Sequence, residues 1–186
     1  MAPGLHRTEL NRLIRLYHLE QYLFGEVSPR FSKEQTLASF DFFAIIAWKS
    51  NRSKTKVKDG LAAAGKSVSE IMKEVSQAPS PEEKVKILLN IQWIGLPIAS
   101  AVLTVCYPKE FTILDYRAWE TLKEAGVKGL PPHYPQNATS YVQYCQVCIA
   151  LAEEARLSLR DLDRALWAKS WEKDLRSIGC TQNITK

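Results

Sequence analysis

The sequence lacks an apolar run of about 18 residues, the length that a membrane-spanning helix needs. Its N-terminal stretch, MAPGLHRTEL, also lacks the apolar segment of a secretory signal peptide. We therefore expect a cytoplasmic protein with no membrane partner. Glycine is scarce, with 8 among 186 residues, and 46% of the residues are hydrophobic, which argues against a disordered chain. The length predicts one compact domain over 1–186, and we expect a monomer.

Cysteine is also scarce, and its spacing does not suggest a metal site. Cys145 and Cys148 form a C-x-x-C pair, but this pair falls inside a predicted helix and has no second pair at ligand spacing. We therefore predict that Cys106, Cys145, Cys148 and Cys180 are buried or unreactive thiols and that no metal is bound.

Strand-like alternation of apolar and polar residues is missing, whereas helical periodicity and helix caps occur almost throughout. The sequence therefore predicts an all-α, multi-helix fold. A first helix is expected over about 9–24 and to end at Gly25. A second is expected to begin at Ser32, where Ser-Lys-Glu-Gln resembles a capping box, and a short helix to follow Ser67 and run to about Gln77.

A helix hairpin is predicted over about 81–106. Ser80 is a good N-cap, Pro81 suits the first helical position, and Glu83 completes the start signal. This helix stops near Gly95, and a second helix, apolar nearly all round, starts at once. Beyond the hairpin, a short extended lead-in delivers Asp115 to the N-cap of another helix, which is expected to end at Gly126.

Basic residues cluster between Trp48 and Lys58, where the segment WKSNRSKTKVK carries five basic residues and no acid. We interpret the segment as a loop that favours a polyanionic partner, with Lys49, Arg52 and Lys54 as candidate phosphate contacts. A merely solvated basic loop remains the alternative.

The hairpin and Asp115 together suggest chemistry on DNA. A helix N-terminus after a tight turn directs backbone N–H groups outward and can bind a phosphate without reading sequence. Breaking an N-glycosidic bond develops positive charge on the sugar, and a fixed carboxylate nearby stabilises that charge or activates a water molecule. At a helix N-terminus a carboxylate is also favoured by the helix dipole.

The segment ILLNIQWIGLPIASAVLTVCYPKEFTILDYRAWETL resembles the signature of the helix-hairpin-helix DNA glycosylases, the superfamily of endonuclease III, MutY, and the 8-oxoguanine and 3-methyladenine glycosylases. Ile94-Gly95 match the turn of that signature, Ala99 its alanine, and Leu114-Asp115 its later aspartate element. The resemblance covers about Lys84 to Leu122. It implies an enzyme that flips a damaged or modified base out of double-stranded DNA and excises it, with Asp115 as the catalytic carboxylate.

Three departures from the family pattern refine this expectation. Trp93 stands where the earlier glycine of the turn is usual, so the hairpin grips DNA less well or Trp93 serves as a stacking surface. Pro97 stands where strand-nicking members carry a Schiff-base lysine, which implies a monofunctional glycosylase that leaves an abasic site. The four-cysteine cluster motif is absent, so we expect no iron–sulfur cluster. A monovalent cation at the hairpin is left open.

The candidate site has three parts. Asp115 is the candidate catalytic residue, with a simple N-cap as the alternative. The base pocket is predicted to contain Trp48, Tyr116 and Tyr134, although aromatic residues at helical spacing also form cores. The predicted DNA contacts are Trp93, Ile94, Gly95, Leu96, Pro97, Lys49, Arg52, Lys54 and Arg117.

Three alternatives stay open. Arg117 could instead form an internal ion pair. The rival function is a non-catalytic helix-hairpin-helix DNA-binding protein, and Trp93 is its best support. A helical interaction module with no DNA role is a more distant alternative, and the basic segment argues against it.

Overall fold

A computed structural model describes residues 6–181 and the side chains of residues 6–178. The described residues are all helical or irregular, with no strand, which confirms the all-α prediction. None of their helices is both long and apolar enough to span a membrane. The chain divides into two compact units, 1–107 and 108–186, which are described separately here. That the two form one domain stays a prediction.

The first unit contains α-helices joined by short connections, together with one π-helical and one 3-10 turn. The elements are α1 (Arg7–Tyr17), α2 (Leu19–Tyr22), the π-helical turn (Leu23–Val27), α3 (Ser28–Glu34), α4 (Ser39–Ser50), the 3-10 turn (Asn51–Ser53), α5 (Lys54–Ala64), α6 (Val68–Gln77), α7 (Pro81–Leu89) and α8 (Leu96–Cys106). The second unit holds α9 (Tyr116–Glu124), α10 (Ala138–Ala155) and α11 (Leu159–Thr181).

Helix α8 is the central helix of the first unit. All of its residues except Pro97 are buried, and it packs against α3, α4 and α7. Its two buried hydroxyls are satisfied within the helix, because Ser100 Oγ donates to the Pro97 carbonyl at 2.9 Å and Thr104 Oγ1 to the Ser100 carbonyl at 2.7 Å. The prediction of an apolar, central second hairpin helix is confirmed.

The predicted starts of α6, α7 and α9 are also confirmed. Ser67 and Glu70 form a reciprocal capping box at the start of α6, and Ser80 Oγ accepts the N–H of Glu83 at 3.2 Å at the start of α7. Asp115 caps α9, and Gly126 follows that helix in the left-handed region with φ 68°. Local side-chain chemistry determines these positions.

The predicted helix end at Gly25 is wrong, because Gly25 lies inside the π-helical turn and the chain continues helically through α3. Leu23, Val27 and Phe31 are each fully buried at a spacing of four residues. Burial of this apolar face therefore outweighs the helix-weakening effect of one glycine. The hydrogen bonds of a π-helical turn span five residues rather than four, so this turn shifts the helical register between α2 and α3.

The predicted helix start at Ser32 is also wrong. Ser32 lies in the last turn of α3, and Gln35 ends that helix in the left-handed conformation. The side-chain amide of Gln35 donates to the carbonyl of Ser32 at 3.1 Å, so it caps a helix end rather than a helix start. The next helix begins at Ser39 instead.

The basic segment between Trp48 and Lys58 is helical, so the prediction that it forms a loop is also wrong. After the 3-10 turn, its second half forms the beginning of α5. Val57, Gly60 and Leu61 are buried on one face of α5, whereas Lys54 and Lys56 are exposed. Apolar residues three to four positions apart thus fix the segment as a surface helix.

In the second unit, residues 111–114 form a buried, non-helical lead-in to α9. Tyr141 of α10 donates its hydroxyl to the Thr112 carbonyl at 2.8 Å and holds this segment. Cys145 and Cys148 are buried free thiols, and burial raises the pKa of Cys145 to about 11. Cys106 is likewise buried, which confirms the prediction for three cysteines, while the side chain of Cys180 lies outside the described residues.

Candidate functional site

The hairpin turn between α7 and α8 places Trp93 at the surface in an unusual conformation. Its φ is 71°, in the left-handed region that glycine adopts most easily. A bulky side chain there costs about 1–2 kcal/mol. After Trp93 in the chain, the buried Ile94 and Leu96 anchor the turn in the core. Trp93 therefore keeps the left-handed backbone conformation that a glycine would adopt at this position, and it adds an exposed indole.

The start of α8 carries backbone donors without a side-chain cap. Gly95 is the N-cap, and its carbonyl accepts the N–H groups of Ile98 and Ala99, each at 3.0 Å. Pro97 has no N–H, so Leu96 supplies the first N–H of the helix, which has no acceptor within a helix by position. Ile94 and Leu96 are buried, so any DNA contact they make would come from the backbone.

Helix α5 packs directly against the hairpin turn. A Cβ atom added to Gly60 would lie 2.0 Å from the carbonyl oxygen of Gln92, so only glycine permits this approach. The contact brings Lys56 Nζ to 5.2 Å from the centre of the Trp93 ring, a cation–π geometry. Part of the basic segment and the predicted hairpin contact thus come together. We call Arg52, Lys54, Lys56, Trp93 and the first turn of α8 the hairpin surface.

The charge at the start of α5 is opposite to the usual preference for acidic residues at helix N-termini. Lys54 and Lys56 lie in the first turn, which holds no acidic residue. The positive end of the helix dipole adds to their charge. Ser53 precedes the helix, but its hydroxyl hydrogen-bonds to Ser50 Oγ at 2.8 Å and does not cap it. This end of α5 therefore favours an anion.

Two predicted residues of the first unit lie at the end of α4. Lys49 is half-buried, and Trp48 packs edge-on against Phe24 with ring centres 5.8 Å apart. Trp48 belongs to the first unit, whereas Tyr116 and Tyr134 belong to the second. A base pocket that contains all three stays a prediction.

Asp115 begins α9 in the second unit. Its Oδ1 accepts the backbone N–H of Arg117 at 3.0 Å, and its side chain is half-buried. The buried lead-in fixes the backbone on one side and the helix fixes it on the other. The carboxylate is therefore held in a defined position at the protein surface.

Three aromatic side chains form a cluster beside Asp115, and we call Tyr116, Trp119 and Tyr134 the aromatic trio. Their ring centres are 5.7–6.0 Å apart. Burial and the nearby negative charge of Asp115 raise the pKa of Tyr134 to about 12. Tyr116 remains 54% exposed, so part of the trio is accessible. Two of the three predicted base-pocket residues, Tyr116 and Tyr134, thus lie together near the carboxylate.

Trp119 was not among the predicted pocket residues. It is 4% exposed, and its Nε1 is buried with no hydrogen-bond partner among the described residues. A buried donor without an acceptor costs about 1–3 kcal/mol. Its spacing of three from Tyr116, on one face of α9, is the sequence signal that would have found it.

Arg117 forms an ion pair within the second unit. Its guanidinium donates to Asp174 Oδ2 and, at 3.1 Å, to Ser170 Oγ, both on α11. The alternative of an internal ion pair is therefore observed. A phosphate contact by this partly exposed side chain stays a prediction.

A second carboxylate, Asp41 in the first unit, has a different environment. It is 3% exposed and accepts hydrogen bonds from Tyr22 Oη and Arg30 Nη2, both at 2.6 Å. Both of its oxygens are thus bound by partners from α2 and α3. This arrangement stabilises the packing of α4, and it gives Asp41 no access to a substrate.

Among the described residues, no group of three or more His, Cys, Asp or Glu side chains could hold a metal ion. In comparisons with known proteins, the chain matches no family model, no curated protein and no solved structure.

Proposed function

We propose that this chain is a monofunctional DNA N-glycosylase, which flips a damaged or modified base out of double-stranded DNA and hydrolyses its N-glycosidic bond. The observation that carries the proposal is the fixed carboxylate of Asp115 beside the partly exposed aromatic trio. This combination supplies the two things that base excision needs, an anion for the sugar and aromatic surface for the base.

In the proposed reaction, the bond between the sugar C1′ and the base nitrogen breaks, and the base leaves with the electron pair. Asp115 stabilises the positive charge that develops on the sugar. The same carboxylate accepts a proton from the attacking water, whose oxygen forms the new bond to C1′. The departing base takes up a proton, and an abasic site remains.

The aromatic trio is proposed to hold the flipped base. Tyr116 offers exposed ring surface for stacking. The partnerless Nε1–H of Trp119 is a donor that a carbonyl oxygen or a ring nitrogen of the base would satisfy, if the trio opens to admit it. The pocket would then favour bases with an acceptor at that position.

The hairpin surface is proposed to bind the DNA backbone. Lys54 and Lys56 present positive charge to phosphates, and the start of α8 adds the backbone N–H group of Leu96, so that the phosphates are bound without reading sequence. Pro97 offers no amine at the position where strand-nicking members of the superfamily that the segment resembles form a Schiff base. The product is therefore an intact strand with an abasic site.

The direct test uses end-labelled duplexes that each carry one modified base, either oxidised, deaminated or alkylated. We expect at least one duplex to be cleaved after treatment with alkali but not before it, and borohydride to trap no protein–DNA adduct. Tight binding to these duplexes with no base release would instead support a non-catalytic DNA-binding protein. Cleavage without alkali, or a trapped adduct, would contradict the monofunctional assignment.

A further inference from the structure

Trp93 has no evident role in stabilising the first unit. Its side chain is 52% exposed, and its backbone conformation, with φ 71°, is strained for any residue other than glycine. Ile94 and Leu96, which are buried, already anchor the turn. Strain that persists at an exposed position indicates a function for the side chain.

The surroundings of the indole match those of a base-stacking site. Lys56 Nζ lies over the ring at 5.2 Å from its centre, and more than half of the residue is accessible to solvent. Arg52 and Lys54, both exposed, precede Lys56 at the start of α5. An exposed aromatic ring next to clustered positive charge is the combination by which proteins bind single-stranded nucleic acid.

We infer that the hairpin surface binds single-stranded DNA, with one unpaired base stacked on Trp93 and neighbouring phosphates bound by Lys56 and the N-terminal turn of α5. A base inside a duplex has both faces covered by its neighbours, whereas an unpaired base presents a free face to the indole. This inference extends the DNA-binding half of the proposed function and does not depend on the chemistry assigned to Asp115.

Two kinds of contact with nucleic acid therefore contribute to binding at this site. Phosphate contacts from the lysines act on any strand, paired or not, and weaken as salt increases. Stacking on Trp93 acts only where a base is unpaired, and it contributes about 1–3 kcal/mol per base in other proteins, or about 5- to 150-fold in affinity.

The experiment measures binding of the full chain to a fluorescein-labelled oligothymidylate of about 12 nucleotides. The informative variant is Trp93→Gly, because glycine keeps the left-handed turn without strain and removes only the ring. We expect its affinity for the oligothymidylate to fall about 5- to 150-fold. Trp93→Phe, which keeps an aromatic face, should retain most of the affinity.

Two controls separate stacking from other effects. A strand of the same length made only of abasic sites should bind the parent more weakly, and it should bind Trp93→Gly and the parent alike, because it has no bases to stack. Trp171→Ala removes a tryptophan of similar exposure, 49%, from α11 and should leave oligothymidylate binding unchanged.

The inference is overturned if the parent does not bind oligothymidylate, if Trp93→Gly binds it as tightly as the parent, or if Trp93→Gly loses equal affinity for the abasic strand. Each result concerns binding to a single strand. Absence of base release from modified duplexes would contradict the proposed enzyme and leave this inference intact, so the two failures can be told apart.

Discussion

The turns that open α8 and α9 perform the same structural task in different ways. At α9, Asp115 has an extended backbone and its carboxylate accepts a helix N–H, which is conventional capping. At α8, Gly95 provides no side-chain cap, and Trp93 two residues earlier adopts a left-handed conformation. The turn before α9 follows the conformational preferences of its residues, whereas Trp93 in the turn before α8 departs from them.

The difference indicates where each turn contributes to function. A cap of good quality costs no stability, so Asp115 can combine the structural role with a chemical one. At the α8 turn, the backbone of Trp93 is strained and the helix start has no side-chain cap. An aromatic ring and a backbone donor are therefore available to a ligand. Departures from local preference are expected at functional sites, where a ligand supplies the missing partners.

The largest expected effect is that of Asp115→Asn on catalysis. Asparagine caps a helix nearly as well as aspartate, so the free energy of unfolding should change by less than about 1 kcal/mol. The charge that stabilises the transition state is lost, and single-turnover base release should slow by about 100- to 1000-fold. The measurements are base release, duplex affinity and thermal unfolding. Release at the parent rate would show that the catalytic carboxylate lies elsewhere.

Asp115→Ala is the matched comparison, because it removes the cap as well as the charge. It should slow base release to a similar extent and also lower the free energy of unfolding by about 1 kcal/mol. If Asp115→Asn instead unfolds as early as Asp115→Ala and loses binding with it, Asp115 is a structural cap only.

The next effect concerns the contact between α5 and the hairpin turn. Gly60→Ala should lower the free energy of unfolding by about 1–3 kcal/mol, because the new Cβ would lie 2.0 Å from the backbone oxygen of Gln92. The higher helix propensity of alanine, worth about 1 kcal/mol, works in the opposite direction. Chemical denaturation measures the difference between the variant and the parent.

Gly25→Ala is the control for this substitution. Gly25 also lies in helical backbone, but a Cβ there would meet no atom within 4 Å. This variant should be neutral or slightly stabilised. Equal behaviour of the two variants would mean that the turn moves freely away from α5.

The charge of the hairpin surface gives a third prediction. Replacing both Lys54 and Lys56 with Gln should flatten the plot of log K against log salt for duplex binding by about 1.5–2, because each phosphate contact contributes about 0.9 to the slope. The control removes the same charge at Lys66 and Lys86, which pair with Glu74 and Glu83. A slope that changes equally in both double variants would assign the effect to net charge alone.

Local chemistry explains which parts of the fold could be predicted from the sequence. Ser67, Ser80 and Asp115 each cap a helix through residues no more than three positions away, so their patterns are visible in the sequence. The predictions at Gly25 and Ser32 failed because burial of an apolar face, which depends on tertiary packing, decides the helix path there.

For the candidate site, too, the sequence predicted individual residues but not the tertiary contacts around them. Asp115 and Trp93 could be identified from the sequence, but their surroundings could not. Tyr134 reaches the aromatic trio from a loop, and Arg117 pairs with Asp174, 57 residues along the chain. The contact of Lys56 with Trp93 depends on the close packing of Gly60 against the turn. These contacts arise from tertiary packing, which spacing in the sequence does not specify.

The smallest expected effect, and the sharpest test of the comparison, is the stability of Trp93→Gly. Relief of left-handed strain contributes about 1–2 kcal/mol, whereas the flexibility of glycine in the unfolded chain and the lost Lys56 contact each remove about 0.5–1 kcal/mol. The free energy of unfolding should therefore change by no more than about 1 kcal/mol in either direction. Trp171→Gly, at a similarly exposed helical position, should lose stability, because glycine weakens a helix and the ring stacked on Trp167 is removed. Trp93→Ala keeps the strain and should gain nothing. Denaturant unfolding of the three variants orders them, and a marked loss in Trp93→Gly would show that the indole stabilises the turn by more than the strain of its backbone costs.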